Sequence, residues 1–266
     1  MKTLNLADTF KQVSSHRLNI GQLLKIYRVE AYYEWLKTVR NPSFSLPAIL
    51  FPVVFYIFFG VLLNHGNAQA ASYLLCTYGV FGVMGPALFS FGAGLAIERG
   101  QGWLDIKQAS PMPAGAQIFA RLWLAMSFSV LIVLSLSLVA VSLAGVSLSL
   151  LQWLSLIVIW VLGGIPFCLL GLSLGLVLKA QSAPAVINLV YLPLAFMSGL
   201  WMPITILPSF LQDFAQFLPP YHLAQLALKV VELDQGQALW QHVIVLLVYT
   251  FLFALLSLMA HRRRHD

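Results

Sequence analysis

Glu98, Arg99, Asp105 and Lys107 put two acids and two bases into ten consecutive residues of a chain with little other charge. Gly100 and Gly102 interrupt the stretch, and Ser110, Pro111 and Pro113 close it, so that residues 98–113 read ERGQGWLDIKQASPMP. Two chemistries are open to such a group. Side chains of both signs can present a specific docking surface, with glycine and proline fixing abrupt turns around it. Acids can also serve catalysis, but catalysis needs partners that the sequence does not supply. It holds no HExxH, no serine flanked by the glycines of a nucleophile elbow and no acidic pair for a proton relay. The phosphate-binding pattern GxxxxGK[ST] is also missing, so ATP is not bound and hydrolysed here by that route.

The surroundings of this stretch are apolar. Of 266 residues 60% are hydrophobic and 9% charged, and the mean hydropathy is +0.85. A soluble domain of this length needs far more charge to cover its surface. Apolar runs of the ~20 residues that a helix needs to cross a ~30 Å hydrocarbon core recur along the chain. The fold class that follows is all-α, a polytopic membrane protein. Residues 1–17 are polar and lack the apolar core of a signal peptide, so none is expected. Cys76 and Cys168 lie in apolar runs without metal-ligand spacing or an obvious disulfide partner, and read as core residues.

Six spans are expected, at about residues 44–63, 73–97, 122–144, 151–178, 185–200 and 240–260. The first carries Pro47 and Pro52, the second is dotted with glycine, the fourth holds Gly163, Gly164 and Pro166, and the fifth is short. Lys and Arg set the orientation. Fourteen of the fifteen fall before span one, between spans two and three, between four and five, or after span six; Lys229 alone lies on the other side. Both termini are therefore expected in the cytoplasm, with the chain in the cytoplasmic (inner) membrane. The expected organisation is a cytoplasmic segment at 1–17, an interface helix at 18–41, a six-span domain at 44–260 with a cytoplasmic loop at 98–121 and an outer segment at 201–239, and a basic tail at 261–266.

Two segments fit neither a span nor a simple loop. In residues 18–41, Ile20, Leu24, Tyr27, Ala31, Trp35 and Val39 recur at three-to-four-residue spacing, with Lys25, Arg28, Glu34, Lys37 and Arg40 largely elsewhere. That pattern describes an amphipathic helix in the cytoplasmic interface, anchored by Tyr27, Arg28, Trp35 and Arg40. It can be a membrane anchor alone or can also touch a cytoplasmic partner. Residues 201–239 are divided by Pro203, Pro208, Pro219 and Pro220; Phe210, Leu211, Phe214, Phe217 and Leu218 make one short apolar helix, and a second can run from Tyr221 to Glu232. Helices this short read as re-entrant or interfacial, forming an outer lid.

An intramembrane enzyme or ion-coupled carrier should place ionisable residues at bilayer depth, where each costs about 2.5–3.5 kcal/mol on insertion scales and persists only for function. Spans one, three, four and five have none. His242 reads as an interfacial residue at the edge of span six, His65 as part of a short outer loop, and Glu98 as the cytoplasmic end of span two. Gly171 and Gly175 form a small-xxx-small pair that allows close helix approach. Ser135 and Ser142, one heptad apart on span three, and Asn188 on span five can either bond to backbone and neighbouring helices or line a mildly polar path.

With those residues laid out, residues 98–111 resemble the loop between the second and third spans of type-2 ATP-binding-cassette (ABC) exporter permeases, the drug, antibiotic and polysaccharide class. Their pattern reads roughly E-R-E-x-G-T-L-E-x-L-x-x-[ST]-P; Glu98, Arg99, Gly102, Leu104, Asp105, Ser110 and Pro111 match or nearly so, with Trp103 in place of Thr and Asp105 of Glu. Ser198–Pro203, Leu207-Pro208 and Leu218-Pro219-Pro220-Tyr221 are similar to the family's re-entrant segment. The resemblance implies a transmembrane subunit, not itself an enzyme, whose loop, with Gly100 among its turns, docks on a separate ABC ATPase. It also implies a second permease subunit, identical or paralogous, contact with membrane lipid, and no nucleic-acid partner. Cofactors are expected to be none in this chain, with ATP and Mg in the partner. The cargo would be an amphipathic or hydrophobic drug, antibiotic or lipid-like molecule, with a polysaccharide as the near rival. A sensor or immunity component for membrane-active compounds, and a rhomboid-like intramembrane hydrolase, are the alternatives of another class.

Overall fold

Among the described residues, which are 19–64, 66–109 and 112–262 of a computed structural model, every regular element is helical. Asn19 opens α1 (Ile20–Val39) by donating its backbone N–H to Gln22 Oε1 at 3.0 Å. Asn41 and Pro42 then turn the chain into α2 (Pro42–Leu62), whose last six residues form a π-turn. Asn67 caps α3 (Ala68–Gly100) by accepting from the backbone N–H groups of Gln69 and Ala70. A short helix α4 (Trp103–Ala109) leads to α5 (Ala114–Ser142). Ser149 and Gln152 form a reciprocal capping box that starts α6 (Leu150–Val177), which is interrupted at Gly164 just before Pro166. After α7 (Ala183–Met197) come α8 (Ser209–Ala215), α9 (Pro219–Val230) and α10 (Leu239–Arg262).

Among the described residues five helices are long and apolar enough to cross a membrane: α2, α3, α5, α6 and α10. The expected fifth span is the exception to the count of six. Its 15-residue helix α7 rises about 22 Å at ~1.5 Å per residue, short of a ~30 Å core. It stops because the chain turns at Gly199, which takes a φ of 71°. Residues 201–239 do form two short helices, α8 and then α9, which starts at Pro219. Expectations that rest on residues 1–18, His65, Ser110, Pro111 and 263–266 lie outside the described residues.

α3 is the axis of the molecule. Of its most apolar stretch 78% is buried within the chain, against 17% for α10, which presents nearly its whole circumference outward. α2, α5, α6, α7 and α9 all pack on α3, and α10 lies against the second half of α6. Small residues allow the close approaches. The Trp160 ring lies against Gly79, where its indole N–H donates to the Cys76 carbonyl at 3.2 Å. A methyl group on Gly171 would come within 3.0 Å of the Leu88 carbonyl oxygen, and one on Gly175 within 2.7 Å of the Gly92 carbonyl oxygen. The glycine pair thus puts the backbone of α6 directly on the backbone of α3. Buried Tyr56 and Tyr191 meet the cost of burying their hydroxyls by donating to the Ala71 and Phe81 carbonyls, at 3.2 and 2.9 Å. Cys76 and Cys168 are buried free thiols.

Candidate functional site

α3 ends in a cluster of four charges drawn from three helices. Arg121, one turn into the buried part of α5, is only 5% exposed. Its guanidinium donates to the Ser90 carbonyl at 2.7 Å and to Glu98 Oε2 at 2.5 Å, and lies 3.8 Å from Glu34 Oε1. Lys37 of α1 donates to Glu34 Oε2 at 2.7 Å and also to Glu98 Oε1. Two acids and two bases cancel, which is the condition for keeping Glu34, Glu98 and Arg121 largely out of water while Lys37 stays half-exposed. Arg suits the central place because its fixed fork of donors can serve a carbonyl and two carboxylates at once. Ser90 lies in the π-turn Phe89–Gly94, where the regular helical ladder is displaced by one residue and a carbonyl can turn to an outside donor.

The next residue, Arg99, points elsewhere. Its guanidinium donates to the carbonyls of Gly175 (3.0 Å), Leu176 and Leu178, closing the C-terminal end of α6. The last carbonyls of a helix lack partners and carry partial negative charge, so a guanidinium there satisfies both needs. Gly100 lies against Ala180, with 2.5 Å between the Ala180 Cβ and the place a Gly100 Cβ would occupy. Gly102 takes a φ of 77°, the left-handed turn that ends α3 and starts α4. On α4, Leu104 is buried, while Trp103 and Ile106 are 53% and 63% exposed. Lys107 joins α4 to α1 through Glu30 Oε1 at 2.5 Å. Asp105 is on α4, its side chain outside what is described.

α1 packs along α5 through one face. Ile20 and Leu24 are exposed, whereas Ala31, Glu34 and Thr38 are buried, with Trp35 half-buried. The buried face is centred on Glu34 because Arg121 and Lys37 are there to neutralise it. Tyr27 packs its ring on Phe119 of α5, centroids 5.4 Å apart, while Arg28 and Arg40 are exposed.

The remaining candidates are dispersed. The hydroxyls of Ser135 and Ser142 donate to the carbonyls four residues back on α5, Leu131 at 2.8 Å and Leu138 at 2.6 Å. Asn188 is exposed on α7. Pro203 leads into a 3₁₀ turn, Pro208 precedes α8, Phe214 is 45% exposed on α8, and Pro219 and Pro220 are buried at the start of α9. Buried Tyr221 joins Ile204, Leu207 and Ala215 in a small second core.

His242 is a correction to the reading of an interfacial residue: it is fully buried and pairs with His222 of α9, Nδ1 to Nδ1 at 2.9 Å. His222 Nε2 lies 2.8 Å from the Gln216 carbonyl oxygen, so this nitrogen carries the proton. Neutral His222 then accepts at Nδ1 from the Nδ1–H of His242, which leaves His242 Nε2 a bare acceptor with no partner among the described residues. Burial holds the His222 ring below the usual imidazole pKa, against the opposing pull of the Gln216 carbonyl. The two histidines lie 20 positions apart on different helices, and no spacing rule joins them. Glu34, Lys37 and Arg121 were likewise not expected at the site; an acid and a base three residues apart on one helix give no signal of a partner on another.

The arrangement is a set of joints, with no cluster of three or more metal-ligating side chains among the described residues. The family model for the ABC-2 type transporter matches residues 27–233, from α1 through the charged cluster to the end of α9. The chain belongs to the ABC-2 type transporter family. It is also 30% identical over 249 residues to the "Putative transport permease YvfS" of Bacillus subtilis (strain 168), an alignment covering 91% of this chain and 99% of that protein. As an ABC-2 permease it is a multi-pass membrane subunit, and the family works with an ABC ATPase. The α3–α4 junction, with its ties to α1, α5 and α6, lies inside the matched region of this ABC-2 chain.

Proposed function

We propose that this chain is the permease of an exporter, moving an amphipathic or hydrophobic molecule outward across the cytoplasmic membrane, and that residues 98–121 are where a separate ATPase docks. One observation carries the reading. α4 presents Trp103 and Ile106 outward and is tied by Lys107 to α1, while the adjoining end of α3 is tied by Glu98 to α1 and α5 and by Arg99 to α6. A load applied to α4 is thereby shared among four helices at once. The few charges in the spans suit an apolar cargo. Two permeases and two ATPases complete the proposed assembly, with both termini in the cytoplasm and ATP and Mg held by the partner.

The test is deletion of residues 103–110 in cells that also supply the ATPase. The variant should insert normally and bind no ATPase in pull-down, and its export should fall to background. Normal export by such a variant would sink the assignment.

A second cargo, a polysaccharide, is favoured by a run of aromatic rings between α2, α3 and α7. Phe81 stacks on Tyr191 at 4.8 Å, Phe51 lies 5.8 Å from Phe81 and 4.4 Å from Phe55, and Trp201 lies 6.2 Å from Phe55. Phe81 and Tyr191 are buried behind Phe51 and Phe55, whose more open faces suit a sugar as readily as a lipid. Phe51→Ala and Phe55→Ala would abolish export of a glycan while sparing an alkyl-chain cargo.

A further inference from the structure

Between α1 and α5 lies a cleft of about 980 Å³ that the coupling scheme does not use. Its walls are Leu24, Trp35, Phe119 and Trp123, and Lys25 and Arg28, both exposed and one turn apart on α1, line its rim. The charges there are unbalanced. The acids of α1 are committed elsewhere, Glu30 to Lys107 and Glu34 to Lys37 and Arg121. Among the described residues neither Lys25 nor Arg28 has an ion-pair partner. Beyond the cleft, Leu131, Leu134 and Leu138 continue at helical spacing from Trp123 and Ser127 along α5, and all three are exposed.

We propose that this cleft binds an anionic phospholipid, its phosphate on Lys25 and Arg28 and its acyl chains running past Trp123 along α5. Three features select this occupant. The cation pair has no counter-ion among the described residues, so an anion completes it. The volume lies in the range of ligand-binding sites, about 300–1,000 Å³, and its aromatic walls suit the boundary between headgroup and chain. The apolar stripe that leaves the cleft is of the length and direction an acyl chain needs, whereas a compact soluble ligand would leave it bare. Lipid capture here is separate from the docking of α4, and its test reads binding without transport or ATPase activity.

Full-length protein in phosphatidylcholine nanodiscs is titrated with phosphatidylglycerol carrying brominated chains, and tryptophan fluorescence is followed. Brominated phosphatidylglycerol should quench at lower mole fraction than brominated phosphatidylcholine, and Trp35→Phe/Trp123→Phe should lose that difference. Lys25→Gln/Arg28→Gln should raise the half-quenching mole fraction roughly 10–30-fold, as about 1 kcal/mol per basic residue implies. Lys179→Gln, an exposed cation at the α6–α7 link, serves as the control and should leave it unchanged. Equal quenching by both lipids, retention of the difference in either double variant, or an equal loss in the control overturns the proposal. So does quenching that appears only after deletion of residues 2–18, which would mean that the chain's own N-terminal segment fills the cleft.

Discussion

Lys107 of α4 and Glu30 of α1 face each other across 2.5 Å, from residues 77 positions apart in the chain. A short helix of seven residues cannot hold a position by itself, so this bridge and buried Leu104 fix α4 against α1.

Both partners of that bridge are partly exposed, and the pair should contribute no more than about 1 kcal/mol to stability. Its importance lies in registration of α4. Lys107→Glu should therefore leave thermal unfolding nearly unchanged and reduce coupled transport several-fold. Exchanging the pair, Glu30→Lys with Lys107→Glu, should restore most of the loss. Transport assays beside melting curves distinguish this from simple unfolding, and an exchange that rescues nothing would show that the bridge is incidental.

Arg121 behaves differently because it is buried. Removing one partner of a buried ion pair strands the others, at about 3–5 kcal/mol, and here Glu34 and Glu98 would be left facing one another. Arg121→Ala should unfold at markedly lower denaturant in detergent. Arg121→Met combined with Glu34→Gln and Glu98→Gln, which removes the stranded charge, should recover more than half of the deficit. Equal loss in both variants would count against a charge-centred account.

The histidine pair gives a pH dependence whose sign follows from His222. Burial depresses its folded-state pKa below the unfolded value of about 6.5, so between the two the unfolded chain binds a proton that the folded chain refuses. Stability is full above that window and declines as pH falls through it. The midpoint of thermal unfolding should therefore hold above about pH 6.5 and fall as pH is lowered below it, and His222→Gln should flatten the slope. A wild-type slope of opposite sign would contradict the neutral tautomer pair described for His222 and His242.

The helices and their approximate limits were legible because long apolar runs have few other solutions in a membrane. α6 breaks at Gly164 beside Pro166 and α7 ends early at Gly199, each where a local backbone rule acts. The face of α1 was not legible. Apolar spacing marks an interface helix, but gives no sign that Glu34 turns inward to meet Arg121 from a distant stretch of chain. The same holds for Arg99, whose neighbours in sequence give no hint that it closes α6. Residues 98–113 announced a docking surface; the contacts add that most of its charge is turned inward to fasten helices, while Trp103 and Ile106 are what α4 turns outward.

The π-turn at Phe89–Gly94 sets the phase of everything that follows it in α3. It amounts to one extra residue accommodated within an otherwise continuous helix. Losing that residue would let the helix close into regular turns and rotate its final segment by about 100°. Glu98 would swing away from Arg121 and Arg99 away from the end of α6, although no side chain of the cluster had been altered. A single deletion in an apolar, uncharged turn would thus mistime the two fastenings together, as a slipped tooth on a gear misplaces every later tooth.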